Sequence, residues 1–347
     1  MYKYKMVRCL KSKTVICLLI PVIIFFVNNR LSAEISLRDS VTLQIAHDIW
    51  YDRYRSAIEK TEDIVEREPD NPLGYFLLGT VYQTISEEYR NDSFNEMITV
   101  NLSKAIKLAK KRFENDPHNP NWPFICGAAY GYRALHRAFH GSWWGAFQDG
   151  LRCSSNLKKT LKLDSTYYDC YLGLGAYHYH KTVKSKAFLW LPFVVDRKDQ
   201  GIEELRLCVD SGRLATYNAR ESLLRIYFEE RRFDELLLLA DSLEKLTPSN
   251  PYNLLFYVRT LTALNRLDEA EDKLQKLKLV WNRSPYYDPI GMFEAELIMA
   301  DILYRDGDKE SARGIVDKII SEKELVRNNA YFGETLKGAR RLLRRMK

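Results

Sequence analysis

The chain has 347 residues, of which 46% are hydrophobic and 29% charged, a balance typical of a folded protein and not of a disordered one. Glycine and proline number only 16 and 11, fewer than the turns of an all-β protein require. The net charge of +7 comes mostly from residues 1–33, which hold six basic residues and no acidic one, so the remainder has 47 basic and 46 acidic residues. A nearly neutral body lacks the field that gathers a polyanion, which argues against nucleic acid as a partner.

The first predicted element is a leader. Basic residues precede Val15–Val27, thirteen residues that are apolar throughout. As a helix this stretch reaches only about 20 Å of a ~30 Å hydrocarbon core. The length predicts a signal peptide over residues 1–33, cleaved after the small Ala33, and a periplasmic or other extracytoplasmic location. An uncleaved membrane anchor is the alternative, because the bulky Leu31 stands at the minus-three position and Arg30 precedes it.

A repeated pattern follows the leader. Gly79, Gly127 and Gly175 lie 48 residues apart within stretches of similar sequence. Small side chains at regular intervals let two helices approach closely, and an asparagine before a proline, as at Asn71-Pro72, is a typical helix start. The spacing therefore predicts a series of stacked helical hairpins. A second set of small residues repeats with the same spacing: Ala57, Ala105, Cys153 and Gly201.

The pattern resembles the tetratricopeptide repeat (TPR), a helix–turn–helix unit of 34 residues. The three glycines match its small eighth position, and Leu264–Ala270 matches its inter-helix turn. The resemblance extends over about residues 38–326, and the later units approach the family's length. It implies an all-α fold, a right-handed α-solenoid of about seven TPR-like hairpins within residues 34–326.

Residues 123–215 also resemble a set of uncharacterised exported bacterial TPR proteins and, more distantly, the eukaryotic inclusion-body clearance family. The shared features include Tyr130-Gly131-Tyr132 and the stretch Gly173–Tyr179. Neither resemblance implies a catalytic residue.

The second to fourth units exceed the family's length by about 14 residues, which we place as insertions between the two helices of each hairpin. In the third and fourth units these insertions are apolar and include Trp143, Trp144 and Trp190. Two interpretations stay open. The tryptophan regions pack on each other and extend the core, or they form a patch that binds a small ligand, a lipid or a membrane surface.

The last predicted element is an amphipathic C-terminal capping helix over residues 327–347. Basic residues suit the C-terminal end of a helix, and a polar outer face closes a repeat array. A peripheral contact with an anionic membrane is the alternative. The basic cluster on this helix consists of Arg340, Arg341, Arg344 and Arg345.

The sequence contains no P-loop, no nucleophile elbow and no Cys-x-x-Cys pair, so we expect a non-enzymatic protein without a cofactor. His136 and His140 stand four apart and would share a helix face, but no His-Glu-x-x-His motif surrounds them, which makes them weak metal candidates. The cysteines beyond the leader fall where helices face the core. We expect them to be free buried thiols, although an oxidising compartment permits disulfides; they are Cys126, Cys153, Cys170 and Cys208.

In TPR arrays the first helices line a concave groove, and the resemblance carries its binding positions over to this chain. Arg225 and Arg259 occupy the same repeat position, so they should stand near each other and hold a peptide carboxylate. The alternative is that Arg225 forms ordinary ion pairs with Glu221 or Glu229. The groove candidates are Tyr132, Tyr179, Asn218, Glu221, Arg225, Phe228, Tyr252 and Arg259.

These observations predict an interaction scaffold of the cell envelope that binds a partner protein or peptide in its groove. A second class of function stays open. The Trp-rich insertions would suit a small-ligand or lipid-binding component of an envelope transport system.

Overall fold

The structure is a computed structural model that describes residues 34–184, 195–327 and 329–347. Within these ranges every long regular element is an α-helix, and the helices pair into seven hairpins followed by a single last helix. The all-α fold and the number of hairpins are as predicted. In chain order the hairpins are α1–α2 (Ser40–Trp50, Tyr54–Arg67), α3–α4 (Pro72–Tyr89, Asn95–Asn115), α5–α6 (Asn121–Phe139, Trp143–Leu163), α7–α8 (Cys170–Lys184, Lys198–Ser211), α9–α10 (Thr216–Glu229, Phe233–Leu246), α11–α12 (Pro251–Ala263, Leu267–Arg283) and α13–α14 (Met292–Asp306, Lys309–Ser321), and the last helix is α15 (Ala330–Arg345).

The repeated glycines mark the points where the two helices of a hairpin touch. A methyl group on Gly79 would lie 2.9 Å from the side chain of Leu102 on α4. On α7, a methyl group on Gly175 would lie 2.6 Å from the carbonyl oxygen of Gly201 on α8. Both distances are shorter than a carbon atom tolerates, so only glycine permits helix pairs this close. The 48-residue spacing in the sequence is therefore the spacing of helix crossings.

The extra residues of the second and third hairpins lengthen the helices instead of forming loops, which corrects the predicted insertions. Helices α3 to α6 have 18, 21, 19 and 21 residues, whereas α9 and α10 have 14 each. Only His140–Ser142 separate α5 from α6, because Gly141 adopts a φ of 78° and reverses the chain in a tight turn. Trp143 and Trp144 thus begin α6. The extra residues of the fourth hairpin, including Trp190, lie outside the described residues.

The end of α3 reaches across the array to the last hairpins. The side-chain amide of Asn250, before α11, donates to Glu88 Oε1 at 3.0 Å, and the indole N–H of Trp281 donates to the Glu88 carbonyl at 2.9 Å. The Arg90 carbonyl accepts from the side-chain amide of Asn329, before α15, at 2.8 Å. The second hairpin is therefore bound to the sixth and to the capping helix.

The first hairpin and the residues just before it contact the middle of the array, from the end of the third hairpin to the start of the fifth. Arg38 forms an ion pair with Asp164 at 3.1 Å, and its carbonyl accepts from Arg213 at 2.8 Å. The ring of Trp50 stacks on Tyr217 of α9, with centroids 5.8 Å apart. An open concave surface is what a simple solenoid would present, whereas here the chain's own N-terminal hairpins occupy part of it.

Helix α15 caps the array as predicted, beginning at Ala330. Asn329 accepts hydrogen bonds from the backbone N–H groups of Tyr331 and Phe332, which is a regular N-cap. Its apolar face, with Phe332 and Leu342, packs into a cluster with residues of α13 and α14. The basic cluster lies on the last turns of this helix, where Arg340, Arg341, Arg344 and Arg345 are all exposed. None of the described helices is both long enough and apolar enough to cross a bilayer.

Candidate partner-binding site on the inner layer

The predicted groove positions lie on a layer formed by the first helices of successive hairpins. Helices α3, α5, α7, α9, α11 and α13 each contact the next in this order, and α13 contacts α15. Helix α3 also contacts α11, so the layer curves back on itself. We call these packed helices the inner layer. Its side chains are enclosed on several sides, and this strengthens electrostatic interactions among them relative to bulk water.

Arg225 on α9 is held by a tyrosine and not by a carboxylate. Its Nε donates to the Tyr252 hydroxyl at 3.0 Å, and its guanidinium carbon lies 5.8 Å from the Tyr252 ring centroid. Among the described residues no carboxylate forms an ion pair with it, so the ordinary pairs with Glu221 or Glu229 are not what the structure has. The side chain retains partial exposure. Arg225 is thus a cation held by a hydrogen bond and without an ion-pair partner among the described residues.

Arg259 on α11 belongs to a separate ion-pair cluster around Glu294. One oxygen of Glu294 accepts from Arg259 Nη2 and the other from Arg90 Nε at 2.5 Å. Burial acts to raise the pKa of Glu294, but Arg90 and Arg259 hold it below its ordinary value. Burial lowers the pKa of Arg259, and the neighbouring Arg90 and Arg225 act in the same direction. Arg225 and Arg259, which were predicted to act together, are therefore close enough for their charges to interact. Arg259, however, is already paired with Glu294.

The acidic residues near Arg225 leave its charge incompletely matched. Burial, Glu87 and Asp52 raise the pKa of Glu221 to about 8, so this carboxyl is mostly protonated at neutral pH. Its Oε1 is buried without a hydrogen-bond partner among the described residues. Glu87 on α3 and Glu229 on α9 act on Arg225 through their charges without pairing with it. Three arginines thus share the ionised Glu294 and the more remote Glu87 and Glu229.

The remaining predicted groove residues differ in how far they are exposed and in which residues they contact. Tyr132 is partly exposed and packs edge-on against Phe76 at 6.0 Å. The ring centroid of Phe228 lies 5.8 Å from that of Phe256 on α11. Asn218 is partly exposed on α9. The prediction of Tyr179 as a groove residue is corrected, because its side chain is completely buried and cannot contact a partner.

Two residues of the cluster were not predicted. Glu294 stands at the second position of the seventh unit, so extending the family's groove positions by one unit would have included it. Arg90 follows α3, whose 18 residues carry it past the end of a first helix of ordinary length such as the 14-residue α9, and the sequence gives no signal for it. Both belong to the ion-pair cluster of Arg259, which explains why the resemblance alone could not show that Arg259 is already paired.

The other candidate sites divide into exposed and occupied residues. Trp143 and Trp144 are 58% and 71% exposed, and the Lys184 ammonium lies 4.4 Å from the Trp143 ring centroid. The His140 ring uses both nitrogens, one with Asp92 at 2.9 Å and one with the His136 carbonyl at 2.8 Å. Burial also lowers the pKa of His136 to about 4. The described residues contain no group of side chains suited to a metal ion.

The four cysteines of the described chain are buried and free, as expected. Burial raises the pKa of the Cys126 thiol to about 11 and of the Cys153 thiol to about 12. Such thiols stay protonated and act as small apolar side chains.

Comparison with known proteins gives neighbours in structure only. No family model and no curated protein matches the chain. It is similar to the crystal structure of PilW, a widely conserved type IV pilus biogenesis factor, at 11% identity, over 70% of this chain and 92% of that one, with a TM-score of 0.45. It is similar to TTC0263, a thermophilic TPR protein of Thermus thermophilus, at 16% identity over 64% and 96% of the chains, with a TM-score of 0.40.

A third neighbour is a tetratricopeptide repeat protein of Parabacteroides merdae ATCC 43184, at 13% identity over 85% and 99% of the chains, with a TM-score of 0.40. The second and third of these neighbours are tetratricopeptide repeat proteins. The fold itself rests on the seven hairpins and the glycine contacts described above.

Proposed function

We propose that this chain is a non-enzymatic interaction scaffold that holds the C-terminal carboxylate of a partner protein on its inner layer. The observation that supports the proposal most directly is Arg225, a fixed guanidinium without an ion-pair partner among the described residues. Its Nε donates to the Tyr252 hydroxyl, and no acceptor for its two terminal amino groups is found among the described residues. Guanidinium groups bind carboxylates through two parallel hydrogen bonds, and partial burial strengthens such a pair.

The shape of the site favours a chain end over a folded surface. The N-terminal hairpins and α15 occupy part of the inner layer, so a slender segment fits better than a broad one. A C-terminus carries its charge at the tip of an extended chain. Tyr132 and Phe228, both partly exposed, would contact the apolar side chains that precede it. Arg259, whose side chain is 34% exposed, adds positive potential without giving up Glu294.

The setting we propose for this activity is the cell envelope. The proposal rests on the basic and apolar composition of residues 1–33, which is that of an export leader. These residues lie outside the described part of the chain. N-terminal sequencing of the exported protein tests the proposal, because a start at Glu34 indicates a cleaved leader and an intact Met1 indicates an anchor.

The test of the carboxylate site compares peptides that have a free C-terminal carboxylate with the same peptides amidated at the C-terminus. Short random peptides with free C-termini are screened on the full-length chain, and the peptides that bind are then synthesised with amidated C-termini. We expect amidation and Arg225→Gln each to weaken binding about tenfold or more, the loss of a charge-assisted hydrogen bond.

The matched control is Arg220→Gln on the same helix, turned about 140° away from Arg225. It should bind the peptides as the unmodified chain does. Equal binding of free and amidated peptides, or equal losses in Arg225→Gln and Arg220→Gln, would disprove the carboxylate site.

A second candidate function is binding of a lipid surface through the start of α6. Trp143, Trp144 and Phe147 are all more than two-fifths exposed on one helix end, with the Lys184 ammonium beside them. Tryptophan with a flanking lysine is typical of residues at a membrane interface. Replacing both tryptophans by serine should abolish sedimentation with anionic vesicles, whereas Leu238→Ser, at a 73% exposed leucine of α10, should not.

A further inference from the structure

A second concave site lies between α4, α5 and α6, apart from the inner-layer arginines. It is a partly open cavity of about 230 Å³. Its apolar wall consists of Phe113, Trp122 and Tyr130. The basic side chains of the lining are Lys110, Arg152 and Lys159, and the acidic one is Glu114.

One donor in this cavity has no acceptor. The indole N–H of Trp122 is buried and lacks a hydrogen-bond partner among the described residues. A buried donor left unpaired costs on the order of 1–3 kcal/mol, and such a group in a native cavity calls for an acceptor that the chain itself does not supply. The ring of Trp122 is fixed from outside by the Arg112 guanidinium, 5.6 Å from its centroid.

The cations around the cavity exceed the anions. Lys110 and Arg152 both lie over the Tyr130 ring, at 5.5 and 5.7 Å from its centroid. Arg152 approaches Asp149 at 3.4 Å, but that carboxylate already accepts from Arg133 at 2.8 and 2.9 Å. Arg137 is a further donor to the same carboxylate. Arg152 therefore receives only a small share of the one buried negative charge nearby.

Lys159 stands on the other side of the opening. Its ammonium lies 5.8 Å from the Phe113 ring centroid. The charges of Lys110 and Lys159 both act to lower the pKa of the buried Cys126 thiol, which also lines the cavity. Lysine ammonium groups act as point charges with three donors each and suit phosphate oxygens.

We propose that this cavity binds a phosphate group, with the aromatic wall contacting the part of the ligand that carries it. A carboxylate has two oxygens, whereas the lining of the cavity includes two lysines, an arginine and the tryptophan whose indole N–H is unpaired. A phosphate monoester has three terminal oxygens and a charge of about −1.5 to −2 at pH 7, so it satisfies these donors better. Free phosphate monoesters and the monoester headgroup of phosphatidic acid share this chemistry.

The first test measures binding of inorganic phosphate to the full-length chain by calorimetry at constant ionic strength. The variant Lys110→Gln/Lys159→Gln removes the two exposed lysines of the cavity without disturbing the core. We expect it to weaken phosphate binding about tenfold or more. The matched control, Lys107→Gln/Lys158→Gln, removes two exposed lysines from the same helices outside the cavity lining and should leave binding unchanged.

The second test examines the unpaired donor. Trp122→Phe keeps an aromatic wall and removes the indole N–H, so phosphate binding should weaken while the melting temperature stays level or rises. Unchanged binding in this variant, or equal losses in the two lysine pairs, would overturn the proposal.

Vesicles separate the two sources of the phosphate group. The chain is sedimented with phosphatidylcholine vesicles that contain or lack an equal part of phosphatidic acid, whose headgroup is a phosphate monoester. Binding to the anionic vesicles that Lys110→Gln/Lys159→Gln abolishes, and that inorganic phosphate displaces, identifies a lipid headgroup as the source. Phosphate binding without vesicle binding identifies a free phosphate compound as the ligand. If the chain binds neither phosphate nor vesicles, the proposed site is refuted.

Discussion

The side-chain amide of Asn250 donates a 3.0 Å hydrogen bond to Glu88, a residue 162 positions earlier in the chain. The other end of the same side chain, Oδ1, accepts from the backbone N–H of Asn253 at 2.8 Å and caps α11. One asparagine thus starts the sixth hairpin and binds it to the second. Aspartate would cap the helix as well, so the contact with Glu88 is what requires an amide here.

Asn250→Asp should destabilise the chain through this contact alone. The variant keeps the cap, loses the amide donor and adds a carboxylate beside Glu88. We expect the free energy of unfolding in urea to fall by about 3 kcal/mol. Asn119→Asp is the control, because Asn119 lies at the start of α5 and accepts from Asn121 at 3.0 Å without such a contact. If both variants lose the same stability, the contact with Glu88 contributes nothing.

The neighbouring carboxyls make stability depend on pH. Burial raises the pKa of Asp52 to about 7 and the pKa of Glu88 well above its ordinary value. The polar groups that face the pair are the Tyr54 hydroxyl, the Asn250 amide and, farther away, Glu221. Unfolded carboxyls titrate near pH 4, so between about pH 4 and 7 the folded chain binds more protons. This stabilising contribution is full below about pH 4 and is lost as the pH rises through about 7.

Asp52→Asn should reduce that loss. The free energy of unfolding in urea should fall between pH 5 and pH 8. We expect this fall to be smaller for the variant than for the unmodified chain, by on the order of 2 kcal/mol. Asp317→Asn, at an exposed carboxylate of α14, should keep the pH dependence of the unmodified chain. Parallel curves for all three proteins would contradict the pairing of Asp52 with Glu88.

Gly175→Ala should separate α7 from α8. The added methyl group would meet the Gly201 carbonyl oxygen at 2.6 Å, and backbone on both sides must shift to relieve the contact. We expect a loss of about 3 kcal/mol, at the upper end of what overpacking costs. Gly314→Ala in α14 is the control, because nothing lies within 4 Å of its added carbon. That variant should gain about 0.5–1 kcal/mol from helix propensity, and a loss there would contradict the steric account.

Asp149→Asn should destabilise the third hairpin, because its carboxylate is shared by three arginines. Asp149 is fully buried and accepts from Arg133, Arg137 and Arg152. Replacing the carboxylate leaves three cations without their shared charge, and thermal unfolding should show a loss of about 3–5 kcal/mol. Asp317→Asn breaks only an exposed pair with Arg313 and should cost less than about 1 kcal/mol.

The helical hairpins could be predicted because their cause is local. Gly79 and Gly175 occupy helix crossings, and a crossing needs a small residue whatever the rest of the chain does. The extra residues could not be placed, since a spacing of 48 is the same whether they form loops or lengthen helices. Trp143 was therefore expected in an insertion and is found in the first turn of α6.

The candidate site could be predicted only in part, for the opposite reason. The position of Arg225 follows from the repeat register, and the structure places it on the inner layer beside Tyr252. Its freedom from Glu221 and Glu229 depends on side-chain packing that helical spacing does not determine. The pairing of Arg90 with Glu294 spans 204 residues and has no local signal.

The contacts that the end of α3 makes with the starts of α11 and α15 set this chain apart from a row of independent units. A linear array can fray from either extremity, because each repeat depends only on its neighbours. Here the second hairpin holds the sixth hairpin and the capping helix, so the C-terminal helices do not depend on their neighbours alone. Truncating α15 should loosen Ser86–Arg90 as much as the helices next to the cut, and hydrogen exchange should report one cooperative opening of the whole molecule.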